Sequence, residues 1–230
     1  MDFELSDEQI DIQKAAFEFA RGEFDPDLAF ELDQAGQFPE TIWKKASRLG
    51  FIGLHYPEEF GGQGLGLLEQ VLVIESFCRV DSGIGSALAT VDLGSEVVLK
   101  FGSYEQKKSF LPLLTKGEKQ MSIAFSESED GKDFSSVSTS AEKKDREYLI
   151  HGKKRFVPHA SRADLLLLLC KEPREGWLTL IVEKEADGLE VQPVERMGLR
   201  VISYGDLSIK GVRIPIESRI GPGGDGLIQA

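Results

Sequence analysis

Two cysteines and three histidines are the whole stock of thiol and imidazole in 230 residues. Cys78 and Cys170 lie far apart in apolar surroundings and form no ligand spacing with His55, His151 or His159. Reduced core thiols are therefore expected rather than a bridge or a metal centre. Basic charge is short as well. Lys and Arg number 27 against 39 Asp and Glu, a net charge of -12, which excludes nucleic acid as the main partner because phosphate binding needs a basic surface. Long apolar runs are missing too: Leu165 to Cys170 is the longest, far below the roughly 18 residues that cross a bilayer, so no membrane span is expected. The opening Met1-Asp2-Phe3-Glu4 has neither a basic segment nor an apolar one, so no secretory signal is read there and a cytoplasmic location is expected. Also absent are a G-x-G-x-x-G between strand and helix, a Walker loop, a zincin motif and a nucleophile elbow.

What is present is a sequence that is 41% hydrophobic and 29% charged, enough for a substantial core. Its first half has helical periodicity. Ser6-Asp7-Glu8-Gln9 is a capping box, with Ile10, Ala16, Phe17 and Ala20 as the buried stripe behind it. Pro39 marks a second start, followed by Ile42, Ala46 and Leu49, with Trp43 beside them and Gly50 as the stop. Leu67, Val71, Ile74 and Cys78 predict a third helix. Asp81-Ser82 caps a fourth carrying Ile84, Leu88, Val91 and Val98. Ser103 and Gln106 repeat the capping box, Pro112 breaks the pattern and Gly117 closes it.

From Met121 the period falls to two. Met121, Ile123 and Phe125 alternate with Ser122 and Ala124, and Val137, Thr139 and Ala141 alternate with serines. Further strands are predicted at Tyr148 to Ile150, Leu165 to Cys170, Leu178 to Val182, Leu189 to Val191 and Leu207 to Ile214, with turns at His151-Gly152 and Asp187-Gly188. The fold class read from this order is α+β: an all-α N-terminal domain over 1–119, a small antiparallel β-barrel or sandwich over 120–221, and a Gly-rich linker over 222–230 that opens a helix at Leu227.

Four glycines crowd into Tyr56-Pro57-Glu58-Glu59-Phe60-Gly61-Gly62-Gln63-Gly64-Leu65-Gly66, a loop needing backbone geometry closed to other residues. Downstream come Lys100-Phe101-Gly102 with Glu105-Gln106-Lys107, then Leu111-Pro112-Leu113-Leu114 with Gly117-Glu118, then Ala124-Phe125-Ser126-Glu127. In this order and spacing the series resembles the N-terminal and middle domains of the acyl-CoA dehydrogenase family of flavoproteins, from about Phe3 to Ala230. The resemblance implies FAD as cofactor and α,β-dehydrogenation of an acyl thioester, carried by coenzyme A or an acyl carrier protein. It also implies an electron-transfer acceptor and a homo- or hetero-oligomer. In the family the catalytic glutamate comes from a third, four-helix domain, so no catalytic residue is assigned here.

The resemblance also implies the site. A stretch similar to A-L-T-E-P-x-A-G-S-D reads Ala124-Phe125-Ser126-Glu127-Ser128-Glu129-Asp130-Gly131-Lys132-Asp133, which places flavin contacts at Phe125 and Ser126. Lys132 stands where the family has a serine near the thioester. It is read either as a substrate contact or as a solvated loop charge. A second stretch, similar to W-I-T-N, reads Phe156-Val157-Pro158-His159 and adds Phe156, Val157 and Pro158 to the flavin site. Pro158 lacks the N–H and hydroxyl that the family uses, which suits a second reading as a non-catalytic, flavin-poor subunit of a heteromer. Glu127 is read as structural, and Lys143-Lys144 and Lys153-Lys154-Arg155 as solvated strand-end charges in preference to contacts with a phosphate-bearing ligand.

Overall fold

The computed structural model describes residues 4–128 and 137–230. The described residues form two compact units. The helical unit takes the chain up to Thr90 together with Phe110–Glu118 and Arg196–Ile202. The sheet unit takes Val91–Ser109, the described part of Lys119–Glu195, and Ser203–Ala230.

In the helical unit, α1 (Asp7–Glu23) starts at the expected capping box. The Gln9 amide donates to Ser6 Oγ, and the Ser6 amide donates to the Gln9 side chain. α2 (Pro26–Ala35) was not expected. Asp25 accepts from the amides of Asp27 and Leu28, Pro26 fills the first turn, and Gly36 closes the helix. α3 (Glu40–Arg48) buries Ile42, Trp43 and Ala46, while Leu49 faces outward. α4 (Leu67–Val80) buries Leu72, Val73 and Phe77 rather than the stripe through Leu67 and Val71, both exposed, and Ile10 of α1 is exposed too. The α1 stripe keeps Ala16 and Ala20 inside and loses only Ile10, whereas on α4 the buried face shifts to Leu72, Val73 and Phe77. An aromatic cluster explains the choice: Phe19, Phe24, Phe51 and Phe77 pack with ring centroids 5.3 to 6.1 Å apart, burying more area than the smaller residues can. The glycine-rich loop folds over buried Tyr56. A Cβ on Gly62 would run into the Tyr56 carbonyl, so that position requires glycine.

The predicted fourth helix is two. α5 (Ser82–Ala89) is capped by Asp81, which accepts from the Ile84 amide, and α6 (Ser95–Phe101) follows separately. The chain leaves the helix because the Val91 carbonyl accepts from the Met121 amide and Asp92 bridges to Met121, which ties this segment to the sheet. α7 (Tyr104–Thr115) runs through Pro112 instead of ending there, and the Pro112 carbonyl accepts from Thr115 Oγ1 and the Lys116 amide.

The sheet unit holds β1 (Met121–Ala124), β2 (Ser140–Lys144), β3 (Glu147–Pro158), β4 (Leu165–Glu172), β5 (Gly176–Glu183), β6 (Leu189–Val194), β7 (Tyr204–Pro215) and β8 (Arg219–Ile220). Their order is β6-β7-β3-β2-β4-β5-β8, with β1 lying parallel on β4. The expected run of helices followed by strands holds, but the sheet is mixed and is no closed barrel. Its end strands β6 and β8 do not pair with each other among the described residues. Leu165 to Cys170 are wholly buried, as befits a central strand. β1 is buried on both faces, so its expected alternation fails: Ser122 is inside and donates to the Pro158 carbonyl at 2.5 Å. His151-Gly152 is no turn but lies within β3. The tail closes on this unit through α8 (Gly226–Gln229), where Gln229 Nε2 donates to the Ile220 carbonyl.

Candidate functional site

The segment leaving β1 carries Phe125, Ser126 and Glu127. It is fixed by a side chain that the sequence reading left in solvent. Lys154 is 0% exposed. Its Nζ donates to the carbonyls of Phe125 (3.2 Å) and Leu169 (2.5 Å) and to Glu127 Oε1 (2.8 Å), which uses all three of its protons. Glu127 also accepts from the amide and hydroxyl of Ser138 and from the amide and hydroxyl of Thr139. Burial pushes the Glu127 carboxyl up, but the hydrogen bonds from Lys154, Thr139 and Ser138 and the lysine charge outweigh it and hold its pKa at about 2. Burial pushes Lys154 down, against the hydrogen bond and opposing charge of Glu127. Beside the pair, a Cβ on Gly152 would run into Thr139.

Along β3 the residues Tyr148, Ile150 and Lys154 share the buried face at a period of two. That alternation would carry Phe156 inward as well. The ladder to β7 breaks it: Lys154 pairs with Leu207, and the next pair is Val157 with Gly205, so three steps on β3 oppose two on β7. The extra residue is a β-bulge at Arg155 and Phe156, with Phe156 in the left-handed region at φ 53°. Beyond it Val157 is buried and Phe156 is turned out, 41% exposed. Both bulge amides find acceptors outside the ladder. Arg155 N–H donates to the Ser126 carbonyl at 2.9 Å, and Phe156 N–H donates to Asp206 Oδ1 at 3.1 Å. A groove of about 560 Å³ runs alongside, lined by Glu127, Lys153, Arg155, Gln192, Asp206 and Lys210 among others.

Phe125, Ser126, Phe156, Val157 and Pro158 therefore come together, joined by the bond from Arg155 to Ser126. The Ser126 hydroxyl is buried without a hydrogen-bond partner among the described residues, as is that of Ser128. Val157 faces the core and Pro158 offers only a carbonyl, already accepting from Ser122. Lys132 lies outside the described residues. The set fits a flat aromatic ring system: one exposed aromatic face and an orphaned hydroxyl are available, with no donor at 158. His159 is buried. Burial and the nearby Arg162 charge push its pKa down to about 4, so it is neutral at pH 7. Sequence reasoning missed Lys154 and Asp206. The first was within reach, because the period of two through Tyr148 and Ile150 lands on it; the second has no sequence signal.

With this geometry in view, the comparisons define the class. The family model for the acyl-CoA dehydrogenase N-terminal domain matches residues 6–118, and that for the middle domain matches residues 122–212. The chain belongs to the acyl-CoA dehydrogenase family. Among its relatives, the acryloyl-CoA reductase (NADH) of Anaerotignum propionicum is 34% identical over 233 residues, covering 98% of this chain and 59% of the relative. Butyryl-CoA dehydrogenase from Megasphaera elsdenii superposes with a TM-score of 0.91 at 28% identity, covering 100% of this chain and 62% of that one. An acyl-CoA dehydrogenase from Bacillus anthracis, solved with FAD, superposes with a TM-score of 0.89 at 31% identity, covering 98% and 39%. The chain spans about 60% of the length of the curated relatives it matches. Among the described residues no helix is long and apolar enough to cross a membrane.

Proposed function

We propose that this chain supplies the flavin-facing and helical parts of an FAD-dependent oxidoreductase that dehydrogenates an acyl thioester at its α and β carbons. Residues 1–119 act as the N-terminal domain and 120–221 as the middle domain. The observation that carries this reading is the joining of two separate stretches, Phe125-Ser126 and Phe156-Val157-Pro158, through the Arg155 to Ser126 bond, with an orphaned hydroxyl and an outward aromatic ring on offer. FAD, when bound, supplies the hydride acceptor. The chain's own residues hold it: Ser126 Oγ offers a hydrogen bond, and Phe156 packs on a ring face. No residue here is assigned the proton-abstracting role. Lys132 is proposed to meet the thioester carrier, coenzyme A or an acyl carrier protein. An electron-transfer acceptor, assembly into homo- or hetero-oligomers and a cytoplasmic location complete the reading.

The test is titration of the purified protein with FAD, followed by flavin fluorescence, for the wild type and Pro158→Thr. Restoring one N–H and one hydroxyl, at about 1 kcal/mol per hydrogen bond, should tighten binding roughly tenfold or more. Pro158 also favours a second reading, a flavin-poor subunit that shapes a pocket while a partner chain carries the cofactor. Absence of FAD binding by the wild type, restored in Pro158→Thr, would select it.

A further inference from the structure

We infer that Asp206 is the residue that positions the Phe156 platform, a role resting on the flavin reading above. The alternation along β3 would bury residue 156; a one-residue insertion reverses it, so that Val157 is inside and Phe156 outside. Holding a phenylalanine at φ 53° strains the backbone, and the bulge removes its amide from the ladder. At Arg155 the bulge is held by the amide's bond to the Ser126 carbonyl. At Phe156 the hold comes from β7, where Asp206 stands directly across the bulge. One carboxylate oxygen accepts from Phe156 N–H at 3.1 Å, and the other pairs with Arg155 Nε at 3.3 Å. The Arg155 guanidinium lies 5.2 Å from the Phe156 ring centroid, which covers part of the ring with a cation and restricts its rotamer. Asp206 thus fixes both backbone and ring.

The experiment uses the whole 230-residue protein with three variants, Asp206→Ala, Asp206→Asn and Phe156→Ala, plus the Asp206→Ala/Phe156→Ala double. The first readout is hydrogen exchange at the Phe156 amide, by NMR on flavin-free protein. Asp206→Ala should accelerate it at least tenfold, and Asp206→Asn, which keeps an acceptor oxygen, should restore most of the protection. The second readout is FAD affinity by flavin fluorescence. Asp206→Ala should weaken it about tenfold in the wild-type background and less than twofold once Phe156 is alanine, a non-additivity that general destabilisation does not produce. Unchanged Phe156 exchange in Asp206→Ala overturns the clamp. An equal loss of affinity with and without the Phe156 ring overturns the positioning role. A wild-type protein that fails to bind FAD sinks the flavin reading and the platform's purpose with it, and the exchange data then decide separately whether Asp206 holds the bulge.

Discussion

Replacing Lys154 with methionine tests the centre of the site most directly, because methionine approximates the stem in volume and removes only the ammonium. The loss has three parts. Glu127 keeps its bonds from Ser138 and Thr139 but loses its counter-charge, while the carbonyls of Phe125 and Leu169 each lose a buried donor. Removing one partner of a buried pair costs about 3–5 kcal/mol, and the stranded carbonyls place Lys154→Met in the upper part of that range. Adding Glu127→Gln removes the orphaned charge, so the double variant should recover about 1–2 kcal/mol relative to the sum of the single changes. The assay is urea unfolding followed by tryptophan emission. Trp43 lies in the helical unit and Trp177 in the sheet unit, so in a Trp43→Phe background Trp177 alone reports the affected unit. A cost below about 1 kcal/mol in the Trp177 transition would refute the reasoning and return Lys154 to the solvated charges among which the sequence placed it.

Two further outcomes concern His159 and Gly152. Because the His159 pKa is depressed to about 4 in the folded protein from 6.5, the unfolded chain binds the extra proton first. Stability should therefore fall as pH drops from about 6.5 to 4, by up to about 3 kcal/mol, and His159→Gln should flatten that window in urea titrations at fixed pH steps. Gly152→Ala should destabilise the sheet unit by about 2 kcal/mol or more by thermal unfolding, since its Cβ meets the backbone and side chain of Thr139 and cannot enter without moving a ligand of Glu127.

The helical starts and the central strand were legible because each is set by local chemistry: the Ser6 and Ser103 boxes, the Asp81 cap, and the six apolar residues from Leu165. α2 carried equally local signals that went unread: Asp25-Pro26 and Gly36 supply an N-cap, a first-turn proline and a C-terminal glycine. What local pattern could not supply was tertiary choice. Val71 and Phe77 both suit a helix face, and only the ring cluster around Phe77 decides which goes inside. Asp92 and Val91 read as helix because their true partner, Met121, lies 30 residues away in a strand. Lys154 read as a surface charge because its three acceptors come from two stretches of chain distant from it in sequence, Phe125–Glu127 and Leu169.

The same distinction separates the residues that would touch a ligand from those that set its place. Ser126, Phe156 and Pro158 present a hydroxyl, a ring and a carbonyl, and their side chains make few of the bonds that hold the segment together. The holding bonds end mostly on main-chain atoms: the carbonyls of Phe125, Ser126 and Leu169, and the amides of Phe156, Ser138 and Thr139. A main-chain acceptor is the same whichever side chain it carries, so the backbone frame tolerates Ser126 or Phe156 without rearrangement, while its geometry rests on three charged side chains, Glu127, Lys154 and Asp206. Pro158 is the informative exception. Its substitution removes a donor from the frame itself, and the carbonyl it retains is already committed to Ser122. The chain's departures from the family pattern are therefore of two kinds. Those at Ser126 and Phe156 change what the frame displays, whereas the one at Pro158 changes how many hydrogen bonds it can offer, so Pro158→Thr is the substitution that tests the proposed flavoprotein against the flavin-poor subunit.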